Sequence, residues 1–245
     1  MIPPRLIPVL LIDRDRRVVK TIGFGERTYI GDPFNIIRLF NEKQVDEICV
    51  LDIDASADGR EPDFSFAAAM AAECFMPLSY GGGISTLVHV RRLIGDGIEK
   101  VVLRSHTGES LINGITREFG VQAVVACLDY RMLNNLRLVQ PGNSPLEQEA
   151  ARLAAAGVGE MILQSIDLDG ARTGMDIAGI AAFAPQSPVP VIALGGAGEV
   201  RHLNAAITAG ADAAAAGSAF AFIGRRRAVL ITYPDYIERQ EVMRL

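Results

Sequence analysis

Two glycine clusters and a scatter of aspartates carry the chemistry legible in this chain. Gly81-Gly82-Gly83-Ile84 and Gly195-Gly196-Ala197-Gly198 each follow a short apolar run and precede a stretch of helical periodicity. Without Cβ atoms, such turns let backbone N–H groups approach an anion closely, and the start of the next helix adds favourable partial charge. Ser105 and Gly217-Ser218 follow the next apolar run in each case and offer hydroxyls and further amides. Either cluster alone reads as a tight strand-to-helix turn. The pair reads as two phosphate cradles, and hence as a ligand with a phosphate at each end. Asp13, Asp52, Asp54, Asp129, Asp167 and Asp169 stand at the ends of apolar runs. Carboxylates facing one opening suit general acid–base work, because crowding and burial push their pKa values apart. Asp52 and Asp167 are better read as loop braces. His89, His106 and His202 lack ligand spacing, so neither a metal nor a cofactor is expected.

Eight apolar runs must position these groups: 6–12, 47–51, 77–79, 100–103, 123–127, 160–163, 189–193 and 213–216. Near-continuous apolarity is what strands covered on both faces require. Helix-like stretches separate them at 32–43, 64–74, 86–95, 108–119, 146–156, 179–183 and 200–209. Leu146, Ala150, Leu153 and Ala154 recur three and four apart, which gives one face to lay on a sheet. Strand–helix alternation fits either a barrel or a doubly wound sheet. An internal repeat decides. Leu51-Asp-Ile-Asp-Ala-Ser56 matches Ile166-Asp-Leu-Asp-Gly-Ala171, and Gly81-Gly-Gly-Ile84 matches Gly195-Gly-Ala-Gly198. Leu103-Arg-Ser105 likewise matches Ala216-Gly-Ser218, all at an offset of about 115 positions. Two halves of four βα units predict an α/β fold, one (β/α)8 TIM barrel built from duplicated half-barrels over residues 1–245. Its site lies where the strand C-termini meet the loops.

Composition narrows the function classes. The 245 residues include 24 Lys and Arg against 29 Asp and Glu, a net charge of -5, which argues against a nucleic-acid footprint. No apolar run reaches the length of a membrane span without a charge. Cys49, Cys74 and Cys127 are an odd, widely spaced set rather than a disulfide framework, and Cys49 and Cys127, inside apolar runs, read as buried structural thiols. The N-terminal MIPPRLIPVLLID lacks the basic start and cleavage site of a signal peptide. A soluble, cytoplasmic protein is expected.

A resemblance sharpens the reading. Arg5-Leu-Ile-Pro-Val-Leu, Arg17-Val-Val-Lys20, Gly31-Asp-Pro33, Leu51-Asp-Ile, Gly81-Gly-Gly-Ile84, Gln122-Ala-Val-Val125, Ser165-Ile-Asp-Leu-Asp-Gly170 and Gly195-Gly-Ala-Gly-Glu199 resemble the cyclase (HisF) subunits of imidazole glycerol phosphate synthase. The resemblance runs from Arg5 to about Phe222. It implies a glutaminase (HisH-like) partner at the N-terminal face, whose ammonia crosses the barrel core to a bisphosphorylated ribulosyl substrate at the other end. A charged ring at the base would be Arg5, Glu47, Lys100 and Glu160, and all four residues are present. The cradles carry over, Arg104 with the first and Asp169-Gly170 with the second. Asp129 matches one of the family's two catalytic aspartates, and Lys20 matches a further catalytic-site position.

The departures cluster at the mouth. Aligned from Arg5, the first catalytic aspartate falls on Leu11, which moves no proton. Asp13 is the nearest substitute, two residues on and so about 6–7 Å further along an extended strand. Arg104 replaces the family's asparagine after the fourth strand, and Leu194 replaces a hydroxyl before the second glycine cluster. The 134–145 segment is shorter than in the family. The sequence also resembles a branch of the family that works beside a glutaminase and a sugar amidotransferase in building amidino sugars of surface polysaccharide. Three readings follow: an ammonia-relaying barrel serving another acceptor, a working cyclase, or a non-catalytic scaffold.

Overall fold

Alternation within each strand sends side chains to two different apolar layers, and the fold follows from that division. The computed structural model describes residues 4–224 and 226–235; residues 1–3, 225 and 236–245 of the expected single domain lie outside the described residues. Its barrel strands are β1 (Arg5–Ile12), β2 (Ile48–Asp52), β3 (Leu78–Gly81), β4 (Lys100–Arg104), β5 (Val124–Leu133), β6 (Glu160–Ser165), β7 (Val191–Leu194) and β8 (Ala213–Ala216). Each pairs in parallel with the next, and β8 returns to β1 from Arg5↔Ala213 to Pro8↔Ala216. Closure leaves no unpaired edge. The fold is the (β/α)8 TIM barrel expected from the repeat.

Seven helices cover the wall: α1 (Pro33–Glu42), α2 (Phe64–Glu73), α3 (Leu87–Gly95), α4 (Glu109–Phe119), α5 (Leu146–Ala155), α6 (Ile177–Phe183) and α7 (Val200–Thr208), followed by the single turn α8 (Ser218–Ala221). Side-chain caps fix several starts. Asp32, Asp63, Thr86 and Asp176 accept from Asn35 N, Phe66 N, His89 N and Gly179 N. The Asp176 cap explains why α6 begins at Ile177, two residues before its apolar pattern suggests. Leu6, Leu10 and Ile12 of β1 pack outward on the helices, in the layer that includes Ile37, Phe40 and Met70. Ile7, Val9 and Leu11 face the lumen with Cys49, Val102, Val125, Cys127, Ile162, Ala213 and Ala215. Both faces are thus buried, and each fully buried aliphatic side chain contributes about 1.5–3 kcal/mol.

Two hairpins depart from the expected runs. After β1 the chain turns at Asp13 and returns as Val18–Lys20, which pairs antiparallel with β1 and with Thr28–Gly31. β5 continues past the barrel rim to Leu133 and folds back as Leu136–Val139. The charged run Arg14-Asp15-Arg16-Arg17 and the short paired segments hide both from an apolar-run reading.

Candidate functional site

The lumen is closed at one end and open at the other. At the strand N-termini, Arg5 reaches Glu47 at 2.6 Å and Glu160 at 2.8 Å. Lys100 reaches the same two carboxylates at 3.0 and 3.2 Å. Positions 5, 100 and 160 open strands β1, β4 and β6, and Glu47 immediately precedes β2. The two cations and two anions alternate around one ring, so each of these buried or half-buried charges has two opposite neighbours, which offsets the cost of its partial desolvation. Above it the lumen is lined by aliphatic side chains, the Cys49 and Cys127 thiols and the Ser79 hydroxyl. Burial pushes the Cys49 thiol up to about 12, and burial plus the Asp129 charge raises Cys127 well above its ordinary range. Both stay neutral thiols, as expected of buried structural cysteines.

At the strand C-termini the lumen widens into a cavity of about 390 Å³. Leu11, Leu51 and Leu194 form one side of its wall, while Arg104, Asp129 and Gln164 form another. Asp129 ends the lumen-facing series of β5 and is half-buried. Burial raises its carboxyl to about 6, moderated by the Cys127 thiol at 3.4 Å and by the Arg104 charge. Lys20 comes from the returning strand of the first hairpin and threads inward, where its ammonium donates to the Val9 carbonyl. Burial pulls its pKa down to about 8 against the opposing pull of Asp169. Both groups can therefore exchange a proton near neutral pH. Gly217 leaves room for this lysine, whose end a Cβ there would meet. Gly196, at φ +92, lies against the Gly174 carbonyl, where a Cβ would collide with backbone.

The first hairpin covers one side of the mouth, and repeat-equivalent aspartates of the loops after β2 and β6 hold it. Asp54 accepts from Arg27 at 2.6 and 2.7 Å and from the Arg14 amide at 2.9 Å. The Arg27 pair and that amide hold its pKa down to about 2. Asp169 accepts from the Thr21 hydroxyl at 2.7 Å and from Phe24 N and Gln164 Nε2, both at 3.4 Å. The expected loop braces are also placed as such. Asp52 accepts from Asp54 N and Ala55 N, and Asp167 from Arg131 and Met132 N.

Among the expected site residues, Lys20, Gly82, Arg104, Asp129, Asp169, Gly170, Gly195, Gly196, Gly217 and Ser218 all line the cavity. Three do not. Asp13 lies past the end of β1, in the hairpin turn, where its carboxylate accepts from Asp15 N, Arg17 N and the Arg17 guanidinium. Burial would raise its pKa, but these donors hold it below the ordinary range, so it is a turn brace rather than a proton shuttle. Gly83 packs under the 60–62 backbone, and Ser105 is buried with its carbonyl accepting from Arg152. Asp169 needs a different correction: a carboxylate has no donor for a phosphate, so it serves the cradle only by holding the loop. Among the lining residues that were not anticipated, Gln164 was legible as a polar residue inside an apolar run, whereas Thr21, Phe24 and Arg27 of the hairpin had no signal. No group of three or more His, Cys, Asp or Glu among the described residues is placed to hold a metal ion. No helix among them is long and apolar enough to cross a membrane.

Fold and site together define a (β/α)8-barrel protein with an ion-paired base and a mouth ringed by repeat-related glycine turns. Comparison with known proteins supplies the family: residues 5–224 match the histidine biosynthesis protein family, and the chain belongs to its HisF-like members. A Pseudomonas aeruginosa protein provisionally named imidazole glycerol phosphate synthase subunit hisF2 is 46% identical over 248 residues, covering 96% of this chain and 97% of that one. A Leptospira borgpetersenii protein provisionally named subunit HisF of the same synthase is 40% identical over 98% of each chain. The Mycobacterium tuberculosis imidazole glycerol phosphate synthase subunit HisF is 36% identical over 92% of this chain and 91% of its own.

Proposed function

We propose that this chain is the barrel subunit of a glutamine-dependent complex. It takes ammonia from a glutaminase at the base and passes it through the lumen to an acceptor other than the ribulosyl bisphosphate. The acceptor chemistry is the amidation of a sugar, or formation of an amidino sugar, in surface-polysaccharide biosynthesis. One juxtaposition carries the reading: an intact four-charge ring at the base beneath a mouth where Leu11 stands in place of an acid–base aspartate. A group moving a proton in a transition state is worth about 10²–10⁴-fold in rate. A mouth left with Asp129 alone is poorly equipped for the ring closure, while the route to it is preserved. The word subunit in the relatives' names agrees with a partnered barrel. In this reading the glycine turns hold a phosphorylated ligand of another kind.

A second reading, a working cyclase of histidine synthesis, draws on Asp129 and Lys20, both of which titrate near neutrality. One assay separates the two. Purified protein is given the ribulosyl bisphosphate and ammonium salt, and is separately mixed with candidate glutaminases. Stimulated glutamine hydrolysis with cyclisation at least a hundredfold below that of a HisF control supports the relay. Cyclisation at the control rate overturns it.

A further inference from the structure

Lys100, Val102 and Arg104 share one face of β4 and take three levels of the lumen. Lys100 belongs to the base ring, Val102 to the inner apolar cluster, and Arg104 to the wall of the mouth. Three cations line this cavity, and two are committed to protein partners. Arg27 is clamped by Asp54, and Lys20 donates to the Val9 carbonyl. The Arg104 side chain makes no hydrogen bond or ion pair among the described residues, although it stands level with Cys127 on the adjoining strand and its charge acts on Asp129, two residues further on. A guanidinium carries five donors in a planar fork, and one left open toward a cavity is suited to an incoming oxyanion. Strand parity sets its place. Arg104 projects inward from the wall of β4, whereas Gly82, Gly195 and Gly196 belong to the loops that follow β3 and β7. Its donors come from a charged side chain on the barrel wall, whereas the glycine turns, with the first of which the resemblance groups it, offer backbone amides.

We infer that the cavity takes a small phosphorylated carboxylate, its phosphate on a glycine turn and its carboxylate on Arg104. A single guanidinium balances one negative charge and matches a carboxylate edge to edge. A phosphate dianion in that place would carry an uncompensated charge near Asp129, so the carboxylate is the better fit. Leu11, Leu51 and Leu194 then face the ligand's carbon skeleton. The inference rests on the reading of the glycine turns as phosphate sites, and it is independent of whether ammonia is relayed.

Matched pairs test it by titration calorimetry at constant salt: 3-phosphoglycerate against glycerol 3-phosphate, and 6-phosphogluconate against sorbitol 6-phosphate. Members of a pair differ in a carboxylate against a hydroxymethyl group. The expected result is at least a tenfold preference for the carboxylate in one pair, abolished in Arg104→Gln and partly kept in Arg104→Lys. Circular dichroism confirms that each variant is folded. No preference in either pair overturns the inference, as does a preference that survives Arg104→Gln. Competition by inorganic phosphate separates the two parts of the claim. If phosphate displaces the uncharged-end compounds but no carboxylate preference is seen, the glycine-turn reading stands and the Arg104 site falls. If no compound binds and phosphate does not compete, both fall.

Discussion

Asp129 and Leu11 show at the scale of single residues how burial decides chemistry. Asp129 is a carboxyl that the fold would rather keep neutral, its pKa lifted from the ordinary range to about 6 by loss of water. With the folded value above the unfolded one, its protonated form supports the fold below about pH 4, and that support is lost as pH rises through 6. Asp129→Asn is accordingly expected to stabilise the protein by about 2–3 kcal/mol at pH 7 and by almost nothing at pH 4. Urea unfolding at the two pH values reads the difference. Lys20 runs the other way. Its folded value of about 8 lies below the ordinary lysine range, so stability is gained as pH rises from about 8 through 10. Leu11 faces the same cavity from β1, level with Leu51. Leu11→Asp places a carboxylate on an apolar wall and should cost about 2–3 kcal/mol of stability. If the missing acid–base group is what limits ring closure, the same change should raise ammonium-dependent cyclisation at least tenfold. An unchanged rate would mean that more than one side chain separates this mouth from a cyclase.

The hairpin after β1 is the element on which the site depends most. It delivers Lys20, Thr21, Phe24 and Arg27 to the cavity, and it is fastened at one end by Asp54 and at the other by Asp169. Those aspartates are equivalents in the two half-barrels, so the duplication supplied both clasps. Arg27→Ala removes one clasp and leaves the barrel wall untouched. Amide exchange across residues 13–31 should speed up at least tenfold, while exchange in β4 to β7 stays within a factor of two. Uniform acceleration would show that the hairpin and barrel open together. The same element explains what sequence reasoning could and could not supply. The glycine turns and Asp129 follow from strand ends, since in a parallel barrel every strand C-terminus shares one face, whereas the base ring, at the strand N-termini, was expected only from the family resemblance. Asp13 was misplaced because that logic assumes a strand continuing past Ile12. A turn held by Asp13's own carboxylate intervenes, and the Arg14–Arg17 charges mask it. Gly83 and Ser105 follow strand ends as expected, but Gly83 is drawn under the 60–62 loop and Ser105 is buried against Arg152 of α5, a matter of packing that no local pattern records.

Across the whole molecule, the barrel joins a charge-closed base to an open mouth through a lumen of neutral groups. The two ends are different kinds of structure. The ring of Arg5, Glu47, Lys100 and Glu160 is held together by four contacts between 2.6 and 3.2 Å, and every member leans on two others. Removing one cation leaves two carboxylates sharing the remaining one. Arg5→Ala should therefore destabilise the protein by about 1–3 kcal/mol, below the loss for a fully buried pair because Arg5 keeps some solvent contact. Its functional effect should exceed that. If the lumen is the route of ammonia from a partner, opening the base lets ammonia escape before it crosses. Glutamine-dependent product formation should fall relative to glutamine hydrolysis, while product formation from added ammonium salt stays near the wild-type level. Arg5→Lys, which keeps the charge, should recover part of the coupling. The decisive quantity is the ratio of product formed to glutamine hydrolysed, which a merely less stable protein would leave unchanged. A ratio that stays constant in Arg5→Ala would separate the ring from transport and leave it a structural plug.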